Sequence, residues 1–241
     1  MSSWLDGSVV VVTGAAGGVG HACAEWMAER GGQVWSLDRR RPDDLVGTFV
    51  EVDVSDEESV ALAVQAVVDG AGRIDGLVAA AGLSEEPTPA EDMSLDVWSR
   101  TIGVNLTGVF LTCQQVGRVM LAQGSGRIVT VASMSGAHVV NVPQQQVAYN
   151  ASKGGLVAMT KSLAFEWASR GVRVNALSPG YVDTALLGSK HDLHTIWKDA
   201  TPLRRFAEPA EVAAAAGWLL SDEAAFCCGT ELLMDGGYSL A

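Results

Sequence analysis

Seven short apolar runs, rich in β-branched residues and separated by longer segments of helical period, constrain this chain more than any other feature. They are VVVVT (9–13), QVWSL (33–37), TFVEV (48–52), IDGLVAA (74–80), RIVTVA (127–132), RVNAL (173–177) and ELLMD (231–235). Continuous apolar runs, unlike strictly alternating ones, suit strands buried on both faces, as in a parallel sheet. Between them the pattern predicts helices over 18–30, 56–69, 95–121, 147–168 and 209–220. Ser55 followed by Glu58 fits a capping box at the start of the second, ahead of Val60, Leu62 and Val64. Repeated strand–helix alternation requires right-handed crossovers, so the expected fold is a doubly wound α/β sheet.

The 241 residues, 48% of them hydrophobic, suffice for one sizeable core, and a single domain over 1–241 is expected. The least regular stretch, 184–208, follows the sixth strand and is expected to cover the sheet's C-terminal edge as a substrate lid. A formal net charge of −12 opposes a general basic surface, which argues against nucleic acid and membrane as partners. No apolar run is long enough to span a bilayer, and MSSWLDGS lacks the regions of a signal peptide, so a soluble, cytoplasmic protein is expected. Cys23, Cys113, Cys227 and Cys228 have no zinc-type spacing and read as reduced packing residues. HDLH at 191–194 has an i,i+3 histidine pair but no third ligand, so it reads as a solvated lid helix and no metal is expected.

The first strand runs into TGAAGGVG at 13–20. Gly14, Gly18 and Gly20 permit a tight turn, leave room for a pyrophosphate, and let the next helix aim its N–H groups at that anion. The second strand ends at Asp38, where an acid accepts hydrogen bonds from a ribose and repels a 2′-phosphate. NAD is therefore favoured over NADP. Arg39 and Arg40, which follow, could receive the phosphate instead, but Asp38 comes first at the strand end.

In VAYNASKGG (147–155), Tyr149 and Lys153 stand at i and i+4 and share one helix face. A phenol with an ordinary pKa of about 10 is a poor base at neutral pH, and a neighbouring ammonium lowers that value. Taken alone such a pair usually marks a solvated helix face; in a cleft, the same spacing suits a phenol tuned by an ammonium.

TGAAGGVG, NLTG (105–108), YNASK (149–153), SPGYVDT (178–184) and DGG (235–237) together resemble the short-chain dehydrogenase/reductase family, in order and spacing, over nearly the whole chain. The resemblance implies a single-domain Rossmann-type sheet of about seven strands with helices on both faces, a homotetramer, and nicotinamide-dependent interconversion of an alcohol and a carbonyl. It implies that Tyr149 exchanges a proton with the substrate oxygen, that Lys153 holds the nicotinamide ribose, and that Asn105 holds a water linking the lysine to solvent. Ser133, at the end of the fifth strand, would orient the reacting oxygen; Ser135 is the other candidate, because the loop from Ser133 to Tyr149 looks lengthened. Asp53 would meet the adenine amino group beside the Val54 N–H. Pro179 and Gly180 would shape the turn around the nicotinamide, with Thr184 bonding its carboxamide. Val19, Ala80, Gly82 and Val182 complete the implied dinucleotide site. AAAG at 79–82 departs from the family's usual Asn-Asn-Ala-Gly, which removes side-chain ties to neighbouring strands.

The lengthened loop is polar, with Ser135, His138, Asn141, Gln144 and Gln146, and SMSG…VN.PQ…AYNASK resembles the subgroup acting on sugar alcohols and ketoses. A hydroxylated ligand needs several placed donors and acceptors, and Ser135, Asn141, Gln144 and Tyr181 are the candidates for substrate binding. Two other enzymatic readings remain open: a 3-oxoacyl-thioester reductase, for which Arg204 and Arg205 are the candidate contacts to an acidic carrier, and a carbonyl reductase for apolar ketones. A non-catalytic dinucleotide-binding protein is a further alternative.

Overall fold

Four consecutive valines open the first strand, and they divide between the two faces of the sheet they enter. The computed structural model describes residues 4–188 and 191–240. Its strands are β1 (Val9–Thr13), β2 (Gln33–Asp38), β3 (Thr48–Glu51), β4 (Gly76–Ala79), β5 (Gly126–Val131), β6 (Val172–Pro179) and β7 (Glu231–Met234). They form one sheet in the order β3-β2-β1-β4-β5-β6-β7, and every neighbouring pair is parallel. Helices α1 (Gly18–Ala28), α2 (Glu57–Ala71), α3 (Leu95–Ile102), α4 (Val109–Gln123), α5 (Val147–Trp167), α6 (Ala185–Gly188), α7 (His194–Ala200) and α8 (Pro209–Leu220) follow in turn.

Val9 and Val11 pack with α2, α4 and α5 through residues such as Val64, Val116 and Leu156. Val10 and Val12 pack with α1 and α8 through Met27, Val212 and Leu220. This is the doubly wound architecture that the alternation predicts. Each fully buried valine stabilises by about 1.5–3 kcal/mol, so continuous apolar strands are what hold helices to both faces.

Three expectations change in detail. The helix predicted over 95–121 is one rod in periodicity, but a π-helical turn at Gly103–Gly108 separates α3 from α4. The fourth strand shortens to Gly76–Ala79; Asp75, just before it, still donates its N–H to the Val9 carbonyl at 2.8 Å, and its Oδ2 accepts the Val9 N–H at 2.9 Å. The cap of α2 is Asp56, whose Oδ1 accepts from Ser59 N at 2.7 Å, while Ser55 Oγ donates to Asp53 Oδ1 at 2.6 Å. A carboxylate caps a helix as well as a hydroxyl does, which leaves Ser55 free to hold Asp53.

After β6 the chain builds a small separate cluster of Leu187, Trp197 and Phe206 with Tyr181 and Leu193. The rings of Tyr181 and Trp197 stack at 4.3 Å between centroids, and Trp197 Nε1 donates to the Val142 carbonyl at 3.3 Å. The His191 side chain, half of the HDLH pair, lies outside the described residues.

Candidate active site

A cleft of about 790 Å³ opens at the C-terminal ends of the parallel strands, on both sides of β1, where the winding of the sheet changes direction. Gly14, Gly18, Val19, Gly20, Asp38, Asp53, Val54, Ala80 and Gly82 line one part of it. Ser133, Ser135, Asn141, Gln144, Tyr149, Lys153, Pro179, Gly180, Tyr181, Val182 and Thr184 line the rest. Asn105 alone among the expected positions stands behind the wall, fully buried.

The glycine turn is shaped by steric need. Gly14 has φ +70, and a Cβ there would lie 2.8 Å from the Ala81 Cα. A Cβ on Gly18 would lie 2.6 Å from the Thr184 Cγ2, so only glycine lets the start of α1 close against that residue. Helix α1 has no acidic residue in its first turn and no side-chain cap at Gly17, so its positive end is left to an external anion. Asp38 is pinned on both sides: Oδ2 accepts from Ala16 N at 3.0 Å and Oδ1 from Arg40 N at 3.1 Å. The Arg39 guanidinium leans towards Asp53, with Nη1 at 3.8 Å from Oδ2. The Ser55 hydroxyl bonded to Asp53 holds its pKa below the ordinary carboxylate value. A turn closed to side chains, an uncapped helix start and a fixed acid together fit a dinucleotide.

At the other end, Lys153 is 5% exposed and its Nζ donates to the Val131 carbonyl at 2.8 Å. Burial lowers its pKa to about 8. Tyr149, one turn earlier on α5, has its ring centroid 5.7 Å from that nitrogen. Burial raises the Tyr149 pKa, a hydrogen bond with the Ser133 side chain opposes the rise, and the Glu85 charge adds to it. The sequence expects Lys153 to pull this phenol down. In the structure, loss of solvent around the ring is the largest effect, and the net direction is up.

Ser133 is the serine that faces Tyr149. Ser135 is 1% exposed and turns away: its N–H donates to Ser133 Oγ at 3.1 Å and its hydroxyl to Asn141 Oδ1 at 2.7 Å. Asn141 Nδ2 reaches Gln146 Oε1 at 3.3 Å, extending the chain of polar contacts along the wall. His138, from the same polar loop, pairs instead with Glu231 on β7 at 2.9 Å.

Asn105 sits in the π turn. Its Nδ2 donates to the Leu83 carbonyl at 2.8 Å and to Ser152 Oγ at 3.1 Å, and its Oδ1 accepts from Leu83 N at 2.8 Å. Gly82 lies against both groups: a Cβ there would be in ordinary contact, 3.4 Å from Asn105 Oδ1 and 3.5 Å from Lys153 Nζ.

Sequence reasoning passed over Ala16, Ser84 and Glu85. Glu85 sits in the acidic loop SEEP, which looks solvated, yet it is 6% exposed and its Oε1 accepts the Tyr149 N–H at 3.0 Å. Nothing local in the sequence marks it. Among the described residues no group of three or more His, Cys, Asp or Glu is placed to hold a metal ion. No helix among them is long and apolar enough to cross a membrane.

Residues 14–239 match a family described as enoyl-(acyl carrier protein) reductase. A D-threitol dehydrogenase of Mycolicibacterium smegmatis is 42% identical, over 98% of this chain and 94% of that protein. The L-tagatose-forming galactitol 2-dehydrogenase of Cereibacter sphaeroides is 38% identical, over 98% and 96%. The crystal structure of a short-chain type dehydrogenase/reductase from Mycobacterium marinum superposes with a TM-score of 0.94 at 34% identity, over 98% of this chain and 97% of that one. The chain belongs to the short-chain dehydrogenase/reductase family. As a member it is an oxidoreductase acting on CH–OH groups, and a nicotinamide dinucleotide is the cofactor that the glycine turn and Asp38 suit.

Proposed function

We propose that the protein is an NAD-dependent dehydrogenase of small polyols, oxidising one secondary hydroxyl to the ketose carbonyl and reversing that reaction, with Tyr149 as the acid–base group. The observation that carries this reading is the placing of Tyr149 and Ser133 together at the polar end of the cleft. Ser84, Asn141, Gln144 and Gln146 line that end; Ser84, Asn141 and Gln146 are bonded into one network, whose oxygens keep lone pairs for hydroxyls taken out of water. The names of the threitol and galactitol dehydrogenases support the same substrate class.

In the oxidative direction Tyr149 takes the hydroxyl proton while the carbon loses hydride, and in reduction it returns that proton to the new alkoxide. Ser133 holds the reacting oxygen and the phenol together. Lys153 brings positive charge to the same corner and, as the family resemblance implies, would hold the nicotinamide ribose. Gly14, Gly18, Val19, Gly20, Asp53, Val54, Ala80, Gly82, Pro179, Gly180, Val182 and Thr184 would hold the rest of the dinucleotide, which supplies the hydride acceptor or donor when bound. NAD is preferred because Asp38 stands fixed at the cleft while Arg39 is drawn towards Asp53. Family likeness also supports one domain over 1–241, residues 184–208 as a lid, Asn105 as holder of a water beside Lys153, and a cytoplasmic homotetramer.

A thioester on an acidic carrier fits less well, since Arg204 pairs with Asp199 at 3.4 Å and Arg205 with Glu211 at 2.6 Å. The test is kcat/KM measured side by side on C4–C6 polyols, plain secondary alcohols and a 3-oxoacyl thioester, with NAD(H) and NADP(H). A polyol or ketose with NAD(H) should lead. A wide lead for the thioester or the plain alcohols overturns the substrate class.

A further inference from the structure

Helix α5 carries both Tyr149 and Lys153, and its own first residues do little to hold its start in place. Gln146, at the N-cap, makes no side-chain cap. Its amide reaches sideways, donating to Ser84 Oγ at 2.5 Å and to the Glu85 carbonyl at 3.0 Å. The cap comes from the loop after β4, where Glu85 Oε1 accepts the N–H of Tyr149 itself at 3.0 Å. Thr88 N adds a further tie to the Gln145 carbonyl at 2.9 Å.

We propose that Glu85 is a positioning residue for the reaction: its buried carboxylate fixes the start of α5 at Tyr149 and sets a negative charge against the tyrosine's phenol. The inference rests on the proposed acid–base role of Tyr149.

The choice of residue supports it. Glu85 is 6% exposed, and its Oε2 has no protein hydrogen-bond partner. Burying a charge with one oxygen unpaired carries a desolvation cost that a serine or asparagine cap avoids. The positive end of a helix of 21 residues offsets part of that cost. What the carboxylate adds over a neutral cap is charge. The groups around the phenol are Lys153 from the same helix, Ser133 from the loop after β5 and Tyr181 from the loop after β6, while Glu85 lies at the Tyr149 main-chain N–H and acts on the phenol through its charge. Lys153 favours phenolate and Glu85 opposes it, so the loop after β4 sets how strongly Tyr149 keeps its proton. Such a site gives a proton to a ketone readily and takes one from an alcohol only at higher pH.

The experiment uses the full chain. Glu85→Gln keeps an oxygen for the Tyr149 N–H and removes the charge. The pH midpoint of kcat for alcohol oxidation should fall by about one unit, with the Kd for NADH unchanged. Glu85→Asp keeps the charge and should return the midpoint towards the parent's. A Glu85→Gln profile superimposable on the parent's, or moved upward, overturns the proposal. If Glu85→Gln does not fold, Glu85→Ala removes the same charge and must show the same downward shift. The chain has 3 tyrosines, so tyrosinate absorbance of each protein minus that of its Tyr149→Phe counterpart isolates the one titration. That readout needs no turnover: it tests Glu85 even if Tyr149→Phe stays active and the acid–base reading itself fails.

Discussion

Lys153 Nζ lies 2.8 Å from the carbonyl oxygen of Val131, and this peptide oxygen is the protein group that receives the buried ammonium. A carbonyl dipole only partly replaces lost water, which is why burial lowers the lysine's pKa from 10.5 to about 8. Below that folded value the lysine is charged in both states and its burial is a cost. Between about 8 and the unfolded value the unfolded chain binds more protons, so this group's contribution to stability improves as pH rises. Lys153→Met should therefore raise the stability of the cofactor-free protein near pH 7 by about 1–3 kcal/mol while abolishing turnover. Urea denaturation at pH 7 and at pH 9 checks it: the gain should shrink at the higher pH.

Tyr149→Phe should lower kcat by about 100-fold or more, with NADH binding largely kept, because the hydroxyl acts on the substrate oxygen. Steady-state rates with fluorescence titration of NADH measure the two separately.

Ser133→Ala should cost about tenfold or more in kcat, and Ser135→Ala much less, since the Ser133 hydroxyl stands beside the Tyr149 phenol and the Ser135 hydroxyl is spent on Asn141. The reverse ranking would move the orienting role two residues along.

Asp38→Ala should narrow the preference for NAD over NADP by about tenfold, because two main-chain donors hold this carboxylate at the ribose end of the cleft. The ratio of kcat/KM with the two cofactors is the measurement. A parent enzyme that works better with NADPH would assign control of the site to Arg39 or Arg40.

Asn141→Ala or Gln144→Ala should weaken polyol turnover about tenfold more than turnover of a plain secondary alcohol, because a wall built to bond hydroxyls gains nothing from a ligand without them. Equal losses on both substrates would make the loop a scaffold only.

The strands were legible because a strand covered on both faces must be apolar throughout, and VVVVT or RIVTVA advertises that locally. The glycine turn, Asp38 and the Tyr149–Lys153 pair were legible because each depends on residue type at close spacing. The π turn was not, since Gly103–Gly108 keeps an ordinary helical pattern and its widening is settled by what Asn105 bonds on β4's loop and α5. Glu85 escaped for a related reason: its role depends on a contact with Tyr149, 64 positions away. His138 read as part of a polar pocket wall, but its partner is Glu231, brought near by the pairing of β6 with β7.

The cluster of Tyr181, Leu187, Trp197 and Phe206 stands apart from the two cores that hold the sheet. Substitutions there should act first on the wall of the cleft that Tyr181 and Leu187 line, and less on the packing of the sheet. Tyr181 belongs both to this cluster and to the cleft that holds Tyr149, so repacking those rings would reshape the cleft and reach the proton-handling corner through that one side chain.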